Sequence, residues 1–335
     1  MRPEELRELW QEMGSAPAAD RGLDRRLLDV EAPVSLYACI FWPGGNRGLM
    51  IEGTGKQRPA AARIPKCRGV RLIHEVTTST PRRTILRVML EDSRLLEIFA
   101  ILSADLVDAV RAETSPEAAL RRCIDRLSMW QGLFERLPAE GLSEEAQRGL
   151  FGELAVLGEI VMETLGPLDA VSAWTGPDPS NQDFIHAGIA LEVKTSLAKR
   201  HARLAIANER QLDERPHRLL LLVYVRLDES VAEGLTLPAL VDRCRVRVRD
   251  DIAAARLFDD RLVAAGYLDV HAELYRSSWR ASAIRFFRVH GDFPRLTDAS
   301  LPAGVGDIRY SIVADDLGQW ELAREDALAL LGGEH

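Results

Sequence analysis

The residues best suited to chemistry lie in one octapeptide, IALEVKTS, at positions 189–196. Side chains of a β-strand alternate between two faces, so Glu192 and Lys194 share one face while Val193 and its apolar neighbours share the other. One face would then pack on a core, and the other would present a carboxylate beside an ammonium group. A lone Glu-x-Lys pair is most often a solvent-exposed ion pair. Its significance therefore depends on what else reaches the same place.

A second carboxylate is predicted to reach this strand from a hairpin. Eight residues separate Asp183 from Glu192, and the segments DFIHA and IALEVKT read as two strands that turn at Gly188. Two convergent carboxylates suit a hard cation such as Mg²⁺, with water and substrate phosphate completing its octahedron. Asp178, which follows a proline, is the alternative acid. Asp183 is preferred because it begins an apolar strand, whereas Asp178 lies in a Pro- and Ser-containing loop.

A third carboxylate is predicted on the helix that precedes the hairpin, from about Ser143 to Leu165. The apolar stripe of that helix consists of Leu150, Leu154, Leu157 and Val161. Glu153 falls on the edge of this stripe. An acid on a core-facing edge is costly unless it is paired or binds a metal, so the position of Glu153 points to a site.

Four segments in this order, GLFGELAVLGEI, WTGPDPSNQDF, IALEVKTS and NERQL, carry a family resemblance. A helix-borne Glu, then Asp, then Glu-x-Lys resembles the PD-(D/E)XK nuclease superfamily of restriction endonucleases, junction resolvases and repair nucleases. More narrowly, the chain resembles an uncharacterised bacterial group assigned to that superfamily and linked to restriction or phage defence. The resemblance covers about residues 145–225.

The resemblance implies a role for each matching residue. The implied metal ligands are three carboxylates and one main-chain carbonyl: Asp183, Glu192, Glu153 and Val193. Lys194 would orient or activate the attacking water and stabilise charge on the phosphate. Gln211, placed on a short helix after the active strand, would arrange the lysine or the substrate. The implied cofactor is Mg²⁺, with Mn²⁺ able to substitute.

The function that this resemblance implies is a Mg²⁺-dependent phosphodiester hydrolase, a DNA endonuclease acting in restriction or phage defence. Its partners would be double-stranded DNA, a second copy of the chain, and an ATPase or methyltransferase of a defence system. The alternative is a non-catalytic DNA-binding or scaffold subunit that retains the nuclease fold. A third interpretation, an α/β domain whose acids meet by coincidence, stays open at this stage.

The fold predicted is α/β, with two domains in 335 residues. Residues 1–140 form a β-rich module with a helical connector, whose role the sequence does not give. Residues 141–335 form a restriction-endonuclease-like core, a mixed central sheet flanked by helices. In that half we expect a short strand at 170–174, a short helix at 209–213, a central strand LLLLVYVRL, and one helical stretch over about 237–265.

Composition limits the classes of function. A net charge of −8 argues against a protein that coats nucleic acid nonspecifically, although the segment 194–218 holds seven Lys or Arg residues against three acids. The four cysteines form no CxxC pair, so a structural zinc site is not expected. No apolar stretch is long enough for a membrane span and the N-terminus lacks a signal peptide, so we expect a cytoplasmic protein without a membrane partner.

Other polar or aromatic residues near the motif have simpler explanations. His186 could contact substrate, although a turn histidine satisfied by local hydrogen bonds is the more common case. Trp174 could stack on a base, but a core tryptophan at a strand end is more common. The basic cluster Lys199–Arg203 is either a track for a phosphate backbone or a solvated loop.

Overall fold

The computed structural model describes residues 1–15, 21–29, 32–54, 69–78, 80, 82–136, 141–177, 180–197, 201–229, 234–302 and 304–333. The chain forms two compact units, Met1–Ala139 and Glu140–His335. Both contain helices and strands, and the α/β class predicted from the sequence is confirmed. None of the helices within these ranges has the length and apolar character needed to cross a membrane.

The first unit is an antiparallel sheet with helices. Its elements are α1 (Pro3–Gly14), β1 (Gly22–Asp29), β2 (Ser35–Trp42), β3 (Asn46–Thr54), β4 (Val70–Val76), β5 (Arg83–Leu90), α2 (Leu96–Arg111) and α3 (Pro116–Arg136). The strands are ordered β1-β2-β3-β5-β4. Helix α3 begins at Pro116, where the Ser115 hydroxyl accepts a hydrogen bond from the Ala118 amide, as an N-cap should. Strand β1 is mostly exposed and lacks the alternation that would have predicted it.

The second unit contains the remaining α-helices and strands, together with one π-helical turn. They are α4 (Glu144–Val156), a π-helical turn (Leu157–Val161), α5 (Met162–Leu165), α6 (Pro167–Ala173), β6 (Phe184–His186), β7 (Ile189–Ser196), β8 (Arg203–Ile206), β9 (Leu219–Glu229), β10 (Leu235–Thr236), α7 (Leu237–Val248), α8 (Ile252–Ala264), β11 (Ser278–Arg288), β12 (Tyr310–Val313), β13 (Glu321–Leu322) and α9 (Arg324–Gly332).

The central sheet of this unit is mixed. Its strand order is β10-β11-β9-β7-β6, with β13 beside β11. Strands β7 and β9 are parallel, and the other ladders of this sheet are antiparallel. One face of the sheet packs against α4, α7 and α8 in the larger apolar core. The opposite face forms a smaller core with residues of β8 and β12. The predicted central strand is β9, apolar on both faces because both are covered.

Three local predictions for this unit are wrong. Residues 170–173 are not a strand but the end of helix α6, which starts with Pro167 at its first position, and Trp174 after it makes an isolated bridge to Phe184. Residues 209–213 form turns rather than a short helix, so Gln211 is held in a turn. The stretch 237–265 consists of two helices, because α8 starts afresh with the Asp251 side chain accepting hydrogen bonds from two amides.

Candidate active site

Helix α4 is held unusually close to strand β7. The helix starts at Ser143, whose hydroxyl accepts a hydrogen bond from the Ala146 amide at 3.2 Å. At Gly152 the helix touches the strand so closely that a Cβ atom there would overlap the Thr195 methyl group. The next residue is Glu153, and this close approach is what lets its side chain reach the strand. A π-helical turn follows at Leu157–Val161, a local feature that is common near functional sites.

The hairpin predicted around Gly188 is present, and its shortness shapes the site. Ala187 and Gly188 both have positive φ angles, 47° and 80°, as a tight two-residue hairpin turn requires. Strand β6 pairs with β7 only at Ile189–Leu191. Beyond Leu191 the Asp183 side chain replaces the paired main chain of β6. Its Oδ2 accepts a hydrogen bond from the Val193 amide at 2.7 Å.

The main chain of Asp183 is also fixed. Its carbonyl oxygen accepts hydrogen bonds from the amides of Thr175 and Gly176 at 2.8 and 2.9 Å, and its amide donates to the Leu191 carbonyl at 3.0 Å. The carboxylate is thereby positioned at the edge of β7. The N–H and C=O of one strand residue point to the same side, so the Val193 carbonyl faces this edge too.

Glu153 and Asp183 converge beside Gly176. A Cβ atom added to Gly176 would lie 2.7 Å from Glu153 Oε2 and 3.1 Å from Asp183 Oδ1, so only glycine leaves room for both carboxylates. The Trp174 indole N–H donates to Glu153 Oε2 at 2.8 Å. Trp174 is fully buried and cannot stack on a base. It is a core residue, as the simpler interpretation held, and it also orients the helix carboxylate.

Glu192 and Lys194 share the other side of the strand edge. Glu192 is 0% exposed, and the Lys194 Nζ atom lies 2.6 Å from its Oε1. Lys194 also donates to Gln211 Oε1 at 3.2 Å, and that same oxygen accepts a hydrogen bond from the Ala207 amide at 2.8 Å. All five predicted side chains therefore meet at the edge of β7. Glu153 approaches from one face of the sheet, Asp183 lies at the edge, and the other three approach from the opposite face.

The sequence matches one family over residues 6–315, described as "Putative PD-(D/E)XK family member, (DUF4420)". The chain belongs to this family. The match covers both compact units, so the first unit of this DUF4420 protein is part of the family pattern rather than an addition to it. No curated protein and no solved structure matches the sequence at a significant level.

The charges at the site of this DUF4420 protein are unbalanced. Burial, and then the negative charge of Asp183, raise the pKa of Glu153 to about 8. Burial also raises the pKa of Asp183, against the opposing effect of Lys194 and of the Val193 amide. The pKa of Glu192 is raised well above its ordinary value, by burial first and by Asp183 next. Burial opposes the charge of Lys194, but the surrounding carboxylates outweigh it and raise the lysine pKa.

A divalent cation fits this imbalance, and PD-(D/E)XK nucleases generally use divalent metals. Three carboxylates share one lysine, and Glu192 Oε2 is buried without a hydrogen-bond donor within the described ranges. These groups supply the oxygen ligands that a hard cation prefers, and the cation would supply the positive charge that they lack. As the side chains stand, no three His, Cys, Asp or Glu residues in the described part of the chain form a ready-made metal cluster. A cation would therefore draw Glu192 away from Lys194 or bind chiefly between Glu153 and Asp183.

The sequence did not single out Gln182, which the structure places behind the site. Gln182 is 4% exposed, and its Nε2 donates to the carbonyl oxygens of Arg210 and Gln211 at 3.0 and 3.3 Å. Its Oε1 lies 3.1 Å from His217 Nε2. These contacts anchor the turn that carries Gln211. The only signal in the sequence was that Gln182 immediately precedes the candidate aspartate.

The other candidate residues lie at the periphery of the site or outside the described residues. Asp178 lies outside the described residues, as do Lys199 and Arg200 of the basic cluster. Arg203 is exposed on β8, and His186 is partly buried at the end of β6. The preference for Asp183 therefore rests on where its own carboxylate lies.

Proposed function

We propose that this protein is a Mg²⁺-dependent phosphodiester hydrolase that cuts DNA as an endonuclease in restriction or phage defence. The observation that carries the proposal is the meeting of Glu153, Asp183, Glu192 and Lys194 at the edge of β7. Membership of a PD-(D/E)XK family supports the same chemistry. Mn²⁺ is expected to substitute for Mg²⁺, because both accept oxygen ligands in octahedral geometry.

The metal would be held by Asp183, Glu153 and Glu192, with the Val193 carbonyl as a further ligand. When bound, it supplies Lewis acidity and a more acidic bound water. Lys194 has a raised pKa and carries a positive charge at neutral pH, so it stabilises negative charge on the phosphate and orients the attacking water. Gln211 Oε1 holds the ammonium group in place. Asp183, fixed by main-chain hydrogen bonds, keeps its carboxylate at the strand edge.

The test compares wild type with Asp183→Ala and Lys194→Ala on plasmid, linear and single-stranded DNA, with Mg²⁺ or Mn²⁺. Asp169→Ala is the control, because Asp169 is an exposed acid on α6. We expect wild type and the control to cut, and both site variants to lose about a thousandfold or more in rate while remaining folded. Folded wild type that cuts none of these substrates with either metal would end the proposal.

The proposed partners follow from the proposed reaction. Two active sites would let both strands of a duplex be cut in one encounter, which favours a homodimer on double-stranded DNA. We further propose that the first unit docks an ATPase or methyltransferase of the same defence system. We place this activity in the cytoplasm, where such systems meet foreign DNA.

A non-catalytic DNA-binding or scaffold subunit is the second candidate. The ion pair between Glu192 and Lys194, and the lack of a ready-made three-acid cluster in the described residues, favour it. A Lys194→Ala protein that binds DNA and protects cells as well as wild type does would favour this second function.

A further inference from the structure

The sheet face that carries Lys194 continues away from the candidate active site. Lys194 and Ser196 lie on the same face of β7, and the parallel register places Tyr224 beside Lys194 and Arg226 beside Ser196. This is the face on which Leu222 packs into the smaller core. The candidate active-site residues at the edge of β7 therefore lie next to polar residues of β9.

The orientation of the Arg226 side chain is fixed by a serine of the neighbouring strand, β11. Its Nε donates to the Ser282 hydroxyl at 2.9 Å, and that hydroxyl donates to the Arg226 carbonyl oxygen at 3.3 Å. Ser282 lies at a break in the β9–β11 register, between Ala281 and Ala283. Such bulges redirect a side chain and often lie next to active sites. Here the bulge brings a hydroxyl to the arginine.

Within the part of the chain that the structure describes, no carboxylate pairs with the positive charge of Arg226. On the neighbouring strand β11, the two arginines that share this sheet face do have acidic partners. Arg285 Nη2 lies 2.6 Å from Glu321, and Arg280 Nη2 lies 3.7 Å from Asp228. Arg226 is partly buried and, among the described residues, has no carboxylate oxygen within 4.0 Å. An oriented, partly buried guanidinium without a counter-charge is costly, and its planar fork matches a phosphate group.

Two neutral hydroxyl groups lie beside this guanidinium. Tyr224 is 4% exposed, and its hydroxyl forms a hydrogen bond with the Ser196 side chain. Burial raises the pKa of Tyr224, so the hydroxyl keeps its proton at neutral pH. A phosphate approaching Arg226 would therefore meet these two hydroxyl groups, and the nearby acid that acts on Tyr224, Asp315, has its Oδ2 engaged by a hydrogen bond from the His201 amide.

The spacing to the candidate active site suits a nucleic-acid strand. Arg226 lies one strand over and two residues along from Lys194. With about 4.8 Å between strands and about 3.3 Å per residue, the two backbone positions are roughly 8 Å apart. That distance is compatible with a phosphate one or two nucleotides away, since successive phosphates of one strand advance by about 3.4 Å along the duplex axis and also wind around it.

We propose that Arg226, oriented by Ser282 and flanked by Ser196 and Tyr224, binds a backbone phosphate of the DNA strand one or two nucleotides from the bond that is cut. This inference rests on the proposed function, because it takes the strand to pass over Lys194. The group recognised is a phosphodiester, so the contact positions the strand without reading its sequence.

The test measures binding of a short DNA duplex to the full-length protein without metal, by fluorescence anisotropy over a series of salt concentrations. The variant is Arg226→Gln. The matched control is Arg256→Gln, which removes the same charge from an exposed position of α8, the helix packed on the opposite face of the sheet. We expect Arg226→Gln to bind roughly tenfold more weakly at about 0.1 M salt, with a log–log salt slope less steep by about one. Arg256→Gln should bind as wild type does.

Two further variants protect the test against misfolding. Ser282→Ala frees the guanidinium without removing its charge and should weaken binding about threefold while leaving the salt slope unchanged. Arg226→Lys keeps the charge but loses the planar fork, and should fall between wild type and Arg226→Gln. If Arg226→Gln does not fold, these two variants decide the question.

The outcomes separate this inference from the proposed hydrolase. If wild type binds DNA but does not cut it, and Arg226→Gln binds more weakly, the phosphate site is supported and the proposed hydrolase activity is rejected. If wild type cuts DNA, and both Arg226→Gln and Arg256→Gln match it in affinity and salt slope, only the phosphate site is overturned. Wild type that binds no DNA also overturns it.

Discussion

Each unit of the molecule contains a buried glutamate on a strand, and the two are compensated differently. Glu52 on β3 is 9% exposed and faces two arginines, with Arg83 Nη1 at 2.7 Å and Arg25 Nη1 at 3.6 Å. Glu192 on β7 is fully buried and has one lysine, which it shares with two other acids. The first is a structural ion pair. The second is a surplus of buried acids over positive charge, and the pKa values of all three carboxyl groups are raised as a result.

The same contrast appears in two tryptophan–carboxylate pairs. In the first unit, Asp105 accepts hydrogen bonds from Trp130 Nε1 and Arg126 Nε, both at 2.8 Å. In the second, Glu153 accepts from Trp174 Nε1, also at 2.8 Å, but its charged neighbour is the like-charged Asp183. An indole N–H near a carboxylate is therefore no sign of function by itself. The sign of the neighbouring charge separates the functional candidate from the structural one.

The largest expected effect is on DNA cleavage, when Glu192 and Glu52 are each replaced by glutamine in separate variants. Glu192→Gln should reduce metal-dependent DNA cleavage about a thousandfold, since a metal ligand is lost, while leaving the free energy of unfolding equal or higher because a buried charge is gone. Glu52→Gln should leave cleavage unchanged and lower the free energy of unfolding by about 1 kcal/mol, because its arginines are half-exposed. Cleavage rates and urea unfolding measure both. Similar behaviour of the two variants would break the comparison.

A smaller effect is expected on stability as a function of pH. The pKa of Glu153 is about 8 in the folded protein and near 4.5 when unfolded, so the folded state holds the extra proton between these values. The free energy of unfolding of the metal-free protein should therefore fall as pH rises from about 5 to 8, by on the order of 2 kcal/mol. Thermal unfolding without metal measures this slope. Mg²⁺ should raise the Tm more at pH 8 than at pH 6.

Two variants identify the source of that slope. Glu153→Gln should make it less steep, because no proton is then taken up at this position, while the raised pKa values of Asp183 and Glu192 keep part of the slope. Asp105→Asn, the matched change beside the other tryptophan, should keep it. A slope as steep in Glu153→Gln as in wild type would assign the proton uptake to other groups.

The smallest effect is expected for Gln182, which acts through the turn that it anchors. Gln182→Ala removes the hydrogen bonds to the carbonyls of Arg210 and Gln211, so Gln211 should hold Lys194 less firmly. We expect kcat to fall about tenfold with KM changed less than twofold. Steady-state cleavage kinetics measure both constants. A double variant with Gln211→Ala should lose no more than Gln211→Ala alone, whereas additive losses would mean that the two residues act separately.

Much of the site was predictable because strand and helix periodicity determine side-chain direction. The 3.6-residue period placed Glu153 on the core-facing edge of α4, and the two-residue period placed Glu192 beside Lys194. Asp183 followed from the hairpin at Gly188. These predictions concern local geometry, which short segments specify largely by themselves.

The parts that the sequence did not predict depend on contacts between distant segments. Gln182 acts through carbonyls some 28 and 29 positions away, and no local pattern shows that. Gly176 and Gly152 matter because of the space between packed elements. Helix α6 was mistaken for a strand because AVSAW is a short apolar run that fits either structure, although Pro167 marked a helix start.

The brevity of strand β6 has one more consequence. A sheet edge is usually a hazard, because its free main-chain groups invite another strand to pair there. In this protein the first residues of β7 are covered by β6, and the stretch left over is where the acids gather. Two more paired residues on β6 would place a backbone where the Asp183 carboxylate now lies. A designer could therefore turn the proposed enzyme off by lengthening a hairpin, with every acidic and basic side chain of the site unchanged.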